Sequence, residues 1–233
     1  ANITGLGSAV ENGGWLQLLT IMLYRIGLRG ADTVFCQNQA NLSFSKEHGI
    51  TGKQCVLLPG SGVNLQHHNL QEYPEETEPV RFLFIGRILR EKGIEEYLAA
   101  ARKVKGNHPK TEFHILGGFE DNYEKVIGGR QQDGIVIYHG YQADARPFIG
   151  HCHCLVHPSF YPEGMSNVLL EACAAGRPVI TTERPGCGEV VDDGVDGFLV
   201  RAKDDIDLTE KLESFIALPH KRKETMGLAA RKK

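Results

Sequence analysis

With 233 residues, 41% of them hydrophobic and 24% charged, the chain has room for one sizeable domain plus part of another, or for two small ones. A formal net charge of −3 excludes a globally basic nucleic-acid binder, so any anion site has to be local. The six cysteines (Cys36, Cys55, Cys152, Cys154, Cys173 and Cys187) lie mostly in apolar runs without framework spacing, which suits a reducing compartment better than a disulfide scaffold. No signal peptide and no apolar run of membrane-spanning length is read, so the expected location is cytoplasmic. The chain opens at Ala1 without Met and ends in a charged, helix-like tail, which reads as a piece of something larger.

In chain order, residues 15–27 (WLQLLTIMLYRIG) have helical periodicity with one polar stripe. Residues 31–38 (ADTVFCQN) form a β-type run that ends in polar residues, and a short helix is expected at 39–48. The stretch 54–64 (QCVLLPGSGVN) reads as a strand broken by Pro59 and two glycines, and the acidic 72–79 (EYPEETEP) as hinge or linker. From residue 80 the rhythm is regular. Strands are expected at 81–86, 112–118, 134–140, 154–159, 177–182 and 197–200, with helices at 94–105, 145–150, 166–176 and 207–218. Strands alternating with helices imply right-handed crossovers and a doubly wound parallel α/β sheet. The expected organisation is an end portion of one domain over 1–58, a hinge over 59–80 and a second domain over 81–233.

In such sheets ligands bind beyond the carboxyl ends of the strands. Those ends carry Gly86-Arg87, Gly117-Gly118, Gly140-Tyr141, Pro158-Ser159 and Thr181-Thr182. Arg87 and Lys92 put two cations at one strand exit, close to a helix start, which makes a compact anion site. The bland alternative pairs them on the surface with Glu91, Glu95 or Glu96. Ser166 has the residue type of an N-cap, and the first turn after it has free backbone donors that suit a phosphate. Glu171 then lies about 7–8 Å further along the axis, one sugar-width away, while Glu163 stands ahead of the cap. Its bland alternative is a solvated loop residue, and that of Glu171 a pair with Arg177.

Other clusters read as structural. Asp205-Ile206-Asp207 precedes a helix where carboxylates cap well, and His151-Cys152-His153-Cys154 leads into a buried strand. Glu189 is expected to begin a short helix within 185–194 and is given no catalytic task. The basic tail, 221–223 and 231–233, is expected on a solvated helix face, with a membrane-surface role as its alternative.

Three ordered blocks carry a resemblance: FIGRILREKGI from residue 84, HPSFYPEGMSNVLLEACAAGRPVITTERPGCGEVVDDGVDGFLV from residue 157, and ADTVFCQN followed by LLPGSGVN. Together they resemble the retaining glycosyltransferases of the GT-B fold, family 4, and most of all those of capsule and O-antigen polysaccharide synthesis. Glu163 and Glu171, with seven residues between them, match that family's paired-glutamate motif.

The resemblance implies that the chain is the C-terminal, donor-binding Rossmann-like domain of a GT-B enzyme with the tail of its N-terminal domain. Arg87 and Lys92 bind the donor diphosphate, aided by backbone donors of Gly164, Met165, Ser166, Asn167 and Val168. Glu171 takes the ribose hydroxyls and Glu163 those of the transferred sugar. The loop at Tyr141 meets the base, and Gly86 and Gly118 keep room for the ligand. No metal or other cofactor is expected, because Arg87 and Lys92 take the metal's place. The implied partners are a UDP-linked sugar and a glycan or polyprenyl-linked acceptor held by the absent domain, with peripheral association at the inner face of the membrane and no nucleic acid. The chain alone is then expected to turn nothing over. A GT-B relative of another class (epimerase or disaccharide synthase) and a non-catalytic nucleotide-binding module stay open beside this reading.

Overall fold

The computed structural model describes residues 1–7, 10 and 13–233. Contacts divide the chain into two compact units, one of residues 1–62, 161–167 and 184–189, the other of 63–160, 168–183 and 190–233.

The first unit holds a three-stranded parallel sheet in the order β1 (Asn2–Ile3), β2 (Thr33–Cys36), β3 (Gln54–Leu57). Alternating burial on β2 sends Val34 and Cys36 into a small core with Ile3, Leu42 and Ile50. Helix α2 (Gln39–Glu47) starts where Asn38, in extended backbone, accepts from the Asn41 N–H at 2.8 Å. Helix α1 (Gly14–Leu28) falls where the sequence places a helix, with most of its apolar side chains exposed. Only Ile21 is buried, and Trp15, Leu18, Leu23 and Ile26 are more than half exposed.

The second unit is built on six parallel strands in the order β6-β5-β4-β7-β8-β9. They are β4 (Arg81–Ile85), β5 (Glu112–Leu116), β6 (Ile137–Tyr138), β7 (Cys154–His157), β8 (Val179–Thr182) and β9 (Gly197–Val200). Strands β7 and β8 are buried at every position, as expected of a parallel sheet covered on both faces. The strand order reverses between β4 and β7, so the topological switch point lies at their carboxyl ends.

Helix α3 (Ile94–Asn107) packs Ile94, Tyr97, Leu98, Ala101 and Val104 into the core at helical spacing. Its Tyr97 hydroxyl reaches the carbonyls of both Phe82 (3.1 Å) and His114 (2.9 Å). Helix α4 (Glu124–Gln132) has no counterpart in the sequence reading: two adjacent glycines interrupt it and it buries only Ile127. Helices α5 (Arg146–His151) and α6 (Asn167–Ala174) lie either side of β7 in the chain. Helix α7 (Asp205–Ala217) is capped by Asp204, whose side chain accepts from Ile206 and Asp207 N–H, so the cap falls one residue before the expected Asp-x-Asp. Helix α8 (His220–Lys232) leaves Lys221, Arg222 and Lys232 exposed, as expected of the basic tail, but turns two other cations inward. Lys223 is buried and donates to Ile216 O, and the Arg231 guanidinium donates to Ala174 O.

Arg177 is the largest fully buried side chain and does not pair with Glu171. Its guanidinium donates only to carbonyls: Gln71 and Glu72 in the connector, Ile149 and Gly150 in α5, and Ala175 and Gly176 after α6. It also sits 5.4 Å from the Tyr73 ring centroid. Burial lowers its pKa, but from so high a start that the charge remains. Three segments are thus held by one cation. Arg177→Met is expected to cost about 3 kcal/mol or more, because several buried carbonyls lose a charge-assisted donor at once. Urea denaturation monitored by circular dichroism measures the loss.

Of the expected core cluster, His153 is buried, and its Nδ1 accepts from the Arg81 N–H at 3.1 Å. Burial first, then the Arg81 charge, pulls its pKa down to about 4. The folded state therefore holds it neutral, whereas the unfolded chain takes up a proton near pH 6.5. Stability is complete above that pH and declines as pH falls from about 6.5 towards 4. His153→Asn is expected to flatten this decline in thermal melts across that window.

Candidate functional site

In the second unit the strand exits approach each other through glycine. Gly93, at φ +78°, lies where a Cβ would collide with the Pro158 carbonyl, so α3 starts directly against the exit of β7. Gly117, at φ +150°, lies where a Cβ would collide with the Gly86 carbonyl, and Gly86 N–H donates to Leu116 O at 3.1 Å. Only glycine lets the β4 and β5 exits meet this way. Gly118 O accepts from Ile88 N–H at 2.9 Å, and Gly140 O, at a positive φ, accepts from Gly117 N–H at 3.0 Å. Gly86, Gly118 and Gly140 therefore belong to one hydrogen-bonded rim, with Tyr141 77% exposed beside it.

Arg87 stands exposed on this rim and makes a two-pronged contact with Glu120, 2.9 and 2.7 Å to its two carboxylate oxygens. The surface partner differs from the three glutamates considered in the sequence. Arg90 takes Glu95 and Glu96 instead (2.9 and 2.8 Å). With both side chains about half exposed, the Arg87–Glu120 pair is worth little and is open to exchange for a better anion. Lys92 ends a single 3-10 turn, Arg90–Lys92, immediately before Gly93. That turn is joined to the β7 exit, since Phe160 N–H donates to Glu91 O at 2.8 Å and the Ser159 hydroxyl to the same oxygen at 3.4 Å.

Glu171 lies one turn inside α6 and is half-buried. Among the described residues its carboxylate makes no hydrogen bond and no ion pair. Burial raises its pKa, opposed by the nearby His68 and His67. Its oxygens are not engaged by any protein donor among the described residues and are available to a ligand.

The first unit carries Glu163, Gly164, Met165, Ser166 and Asn167 on a loop held from β2. The Asn38 amide donates to Glu163 O (3.0 Å) and Gly164 O (2.7 Å). Gly164 lies where a Cβ would strike Thr4 O, and Ser166 N–H donates to Gly186 O at 2.9 Å. Glu189 accepts from Gly186 N–H at 2.7 Å, a turn-shaping bond. Ser166 and Gly164 are buried, Met165 and Glu163 half-buried and Asn167 exposed, while Val168, in the second unit, is half-buried.

Sequence reasoning missed Asn38 and Gly93 as builders of these elements, and read Gly117 as a strand-exit glycine without its contact to Gly86. The only signal for Asn38 was a β-run ending in Gln-Asn. The tempting metal clusters hold ordinary structural bonds. Asp205 pairs with Lys103 and Asp207 with Arg201, while Cys152 donates to Ile149 O and Cys154 to Leu155 O. Among the described residues, no helix is long and apolar enough to cross a membrane.

The chain is similar to known proteins in sequence and in fold. The chain is 26% identical over 228 residues to N,N'-diacetylbacillosaminyl-diphospho-undecaprenol alpha-1,3-N-acetylgalactosaminyltransferase of Campylobacter jejuni, covering 91% of this chain and 59% of that protein. It is 28% identical over 205 residues to the capsular polysaccharide biosynthesis glycosyltransferase CapM of Staphylococcus aureus, covering 82% and 52%. The chain thus spans a little over half the length of these relatives. Among solved structures, HepE from Anabaena in complex with UDP superposes with a TM-score of 0.82 at 18% identity, over 99% of this chain and 65% of that one. Sucrose-phosphate synthase from Thermosynechococcus elongatus superposes at 0.78 with 24% identity, over 99% and 61%. Both are likenesses of fold. The family model for glycosyl transferases group 1 matches residues 66–233, the whole regular α/β region. The chain belongs to that family.

Proposed function

We propose that the protein transfers a sugar, with retention of configuration, from a UDP-linked donor to a glycan or lipid-linked acceptor, and that the second unit binds the donor. The observation that carries this reading is Glu171, a half-buried carboxylate that no donor among the described residues engages, one turn inside the helix that follows β7. Vicinal ribose hydroxyls offer two donors to such a group. Arg87 and Lys92 follow the β4 exit, beside the switch point where a doubly wound sheet takes its ligand. The name of the Campylobacter jejuni relative includes a diphospho-undecaprenol, and HepE was solved with UDP.

In this reading the breaking glycosidic bond leaves its electron pair on the nucleoside diphosphate. Arg87 and Lys92 act where that charge grows, which lowers the barrier more than it tightens ground-state binding. Arg87 exchanges Glu120 for phosphate oxygens. The departing phosphate takes the acceptor's proton, on the same face as the departing bond. Glu163 enters through the paired-glutamate spacing and holds hydroxyls of the transferred sugar. No metal is required, because two fixed cations supply the neutralisation.

Thermal unfolding with UDP, GDP or ADP tests the donor half. Saturation at about 100 times the dissociation constant stabilises by roughly 2.7 kcal/mol. A UDP-selective shift that Glu171→Ala abolishes is the expected result, and equal shifts in both proteins reject the assignment. Ligand-free Glu171→Gln is expected to melt about 2 °C higher at pH 7. The sign follows from burial raising the pKa, so ionised Glu171 destabilises the empty fold and stability rises as pH falls through its folded pKa. UDP affinity has the opposite dependence, since only the carboxylate accepts from both hydroxyls. In sugar transfer, Arg87→Ala and Lys92→Ala are each expected to lower kcat on the order of 10²–10³. Steady-state kinetics of the enzyme with both domains present, with a UDP-sugar donor, check this, and a change confined to KM rules out a role in the transition state.

A further inference from the structure

Behind the Gly140-Tyr141 rim, the second unit contains a half-buried polar chain that the donor site leaves unused. His139, the first residue after β6, and His114, in the middle of β5, have Nε2 and Nδ1 2.8 Å apart. Their ring planes differ by 2° and their centroids are 5.1 Å apart. That separation is what the hydrogen bond and two ring radii sum to when placed end to end. The imidazoles are therefore coplanar and nose to nose, joined by a linear N–H···N bond, and are not stacked. The gap is too short for a metal ion to lie on the line between the nitrogens.

The polarity of the chain can be assigned from its far end. Arg81 Nε donates to Glu112 Oε2 at 3.1 Å, and His114 Nε2 lies 3.3 Å from the same oxygen. A carboxylate held by Arg accepts, so His114 carries its proton on Nε2 and presents a lone pair at Nδ1. His139 must then donate from Nε2. Burial holds both imidazoles below their usual pKa, so both are neutral at pH 7 and the link is intact. The Phe148 ring, 4.9 Å from that of His139, packs against it.

We propose that His139, anchored by His114, is the positioning residue for the loop 139–142 that receives the donor's base. The inference rests on the donor reading above. The rest of the loop hangs from His139: its N–H donates to Ile115 O (3.0 Å) and its carbonyl accepts from the Gln142 amide (2.7 Å). Next to it, Gly140 O receives Gly117 N–H, and the Tyr138 hydroxyl donates to Gly117 O at 2.8 Å. Backbone bonds fix the height of the loop above the sheet. The side-chain bond from His139 to His114 fixes its rotation, and with it the direction in which Gly140 and Tyr141 offer backbone groups to a base.

The test compares two probes, UDP and inorganic pyrophosphate, by isothermal titration of wild type, His139→Leu, His139→Gln and His114→Phe. A base-positioning role predicts that His139→Leu weakens UDP by about three- to tenfold, the loss of one hydrogen bond's ordering. Pyrophosphate, which has no base, should bind unchanged. His139→Gln, which keeps a donor for His114, should recover UDP affinity to within about twofold. His114→Phe keeps the ring volume and removes the acceptor, so it should copy His139→Leu and serves if that variant does not fold. Unchanged UDP binding in both variants overturns the proposal, as does an equal loss for UDP and pyrophosphate, which marks general damage. If wild type binds pyrophosphate but not UDP, or if Glu171→Ala binds UDP normally, the donor reading itself fails and takes this inference with it.

Discussion

The buried guanidinium of Arg177 is the constraint on which the second unit depends. A charge in a protein interior is tolerated only when its hydrogen-bonding capacity is met. Arg177 meets that need without any carboxylate, by collecting carbonyls from the connector at 71–72, the end of α5 and the turn after α6. Some of those carbonyls also accept from backbone N–H groups, Ile149 O from Cys152 and Ala175 O from Gln71, so the guanidinium adds a charge-assisted donor to existing turns. One side chain thereby places α5 and α6 on the same frame, and α6 carries Glu171. Because Arg177 serves this frame, Glu171 is left without its nearest cation in sequence and keeps its acceptor capacity.

A second constraint acts at the strand exits. Gly93 and Gly117 allow backbone to touch backbone at the ends of β7 and β4, where a Cβ has no space. The switch point is therefore narrow and lined by main chain, with charged side chains at its margin. Arg87, Lys92 and Glu171 are exposed or half-buried there, and the Arg87–Glu120 pair is easily exchanged. This is the familiar division between a rigid scaffold and a rim that gives up stability to keep its polar groups available. Raised by burial, the Glu171 pKa is the local sign of that trade.

Much of the second unit was legible in the sequence. Its strands are short, apolar and flanked by glycines, and its main helices have clear periodicity, so element order and the parallel sheet followed directly. Helix α4 was not legible, because its Gly-Gly pair and single buried residue, Ile127, leave no apolar stripe to detect. Helix α1 was detected, but its Trp15, Leu18 and Ile26 are exposed, because periodicity shows which residues are apolar and not what covers them. The basic runs 221–223 and 231–233 read as a solvated face, which holds for Lys221, Arg222, Lys232 and Lys233, whereas Lys223 and Arg231 thread their aliphatic stems inward and end on carbonyls.

The sequence by itself determined the alternation of strands and helices and the glycines at the strand exits, because these depend on residue type and short spacing. Only the tertiary structure decided which long-range partner each polar group takes. Arg87 turned to Glu120, Arg177 to backbone carbonyls, Asn38 to the carbonyls of Glu163 and Gly164, and His139 to His114. Hydrogen bonds are directional and short, whereas sequence separation says nothing about distance once the chain has crossed the sheet. A residue's chemistry can therefore be read one position at a time, but its partner is settled by the packing of the whole unit.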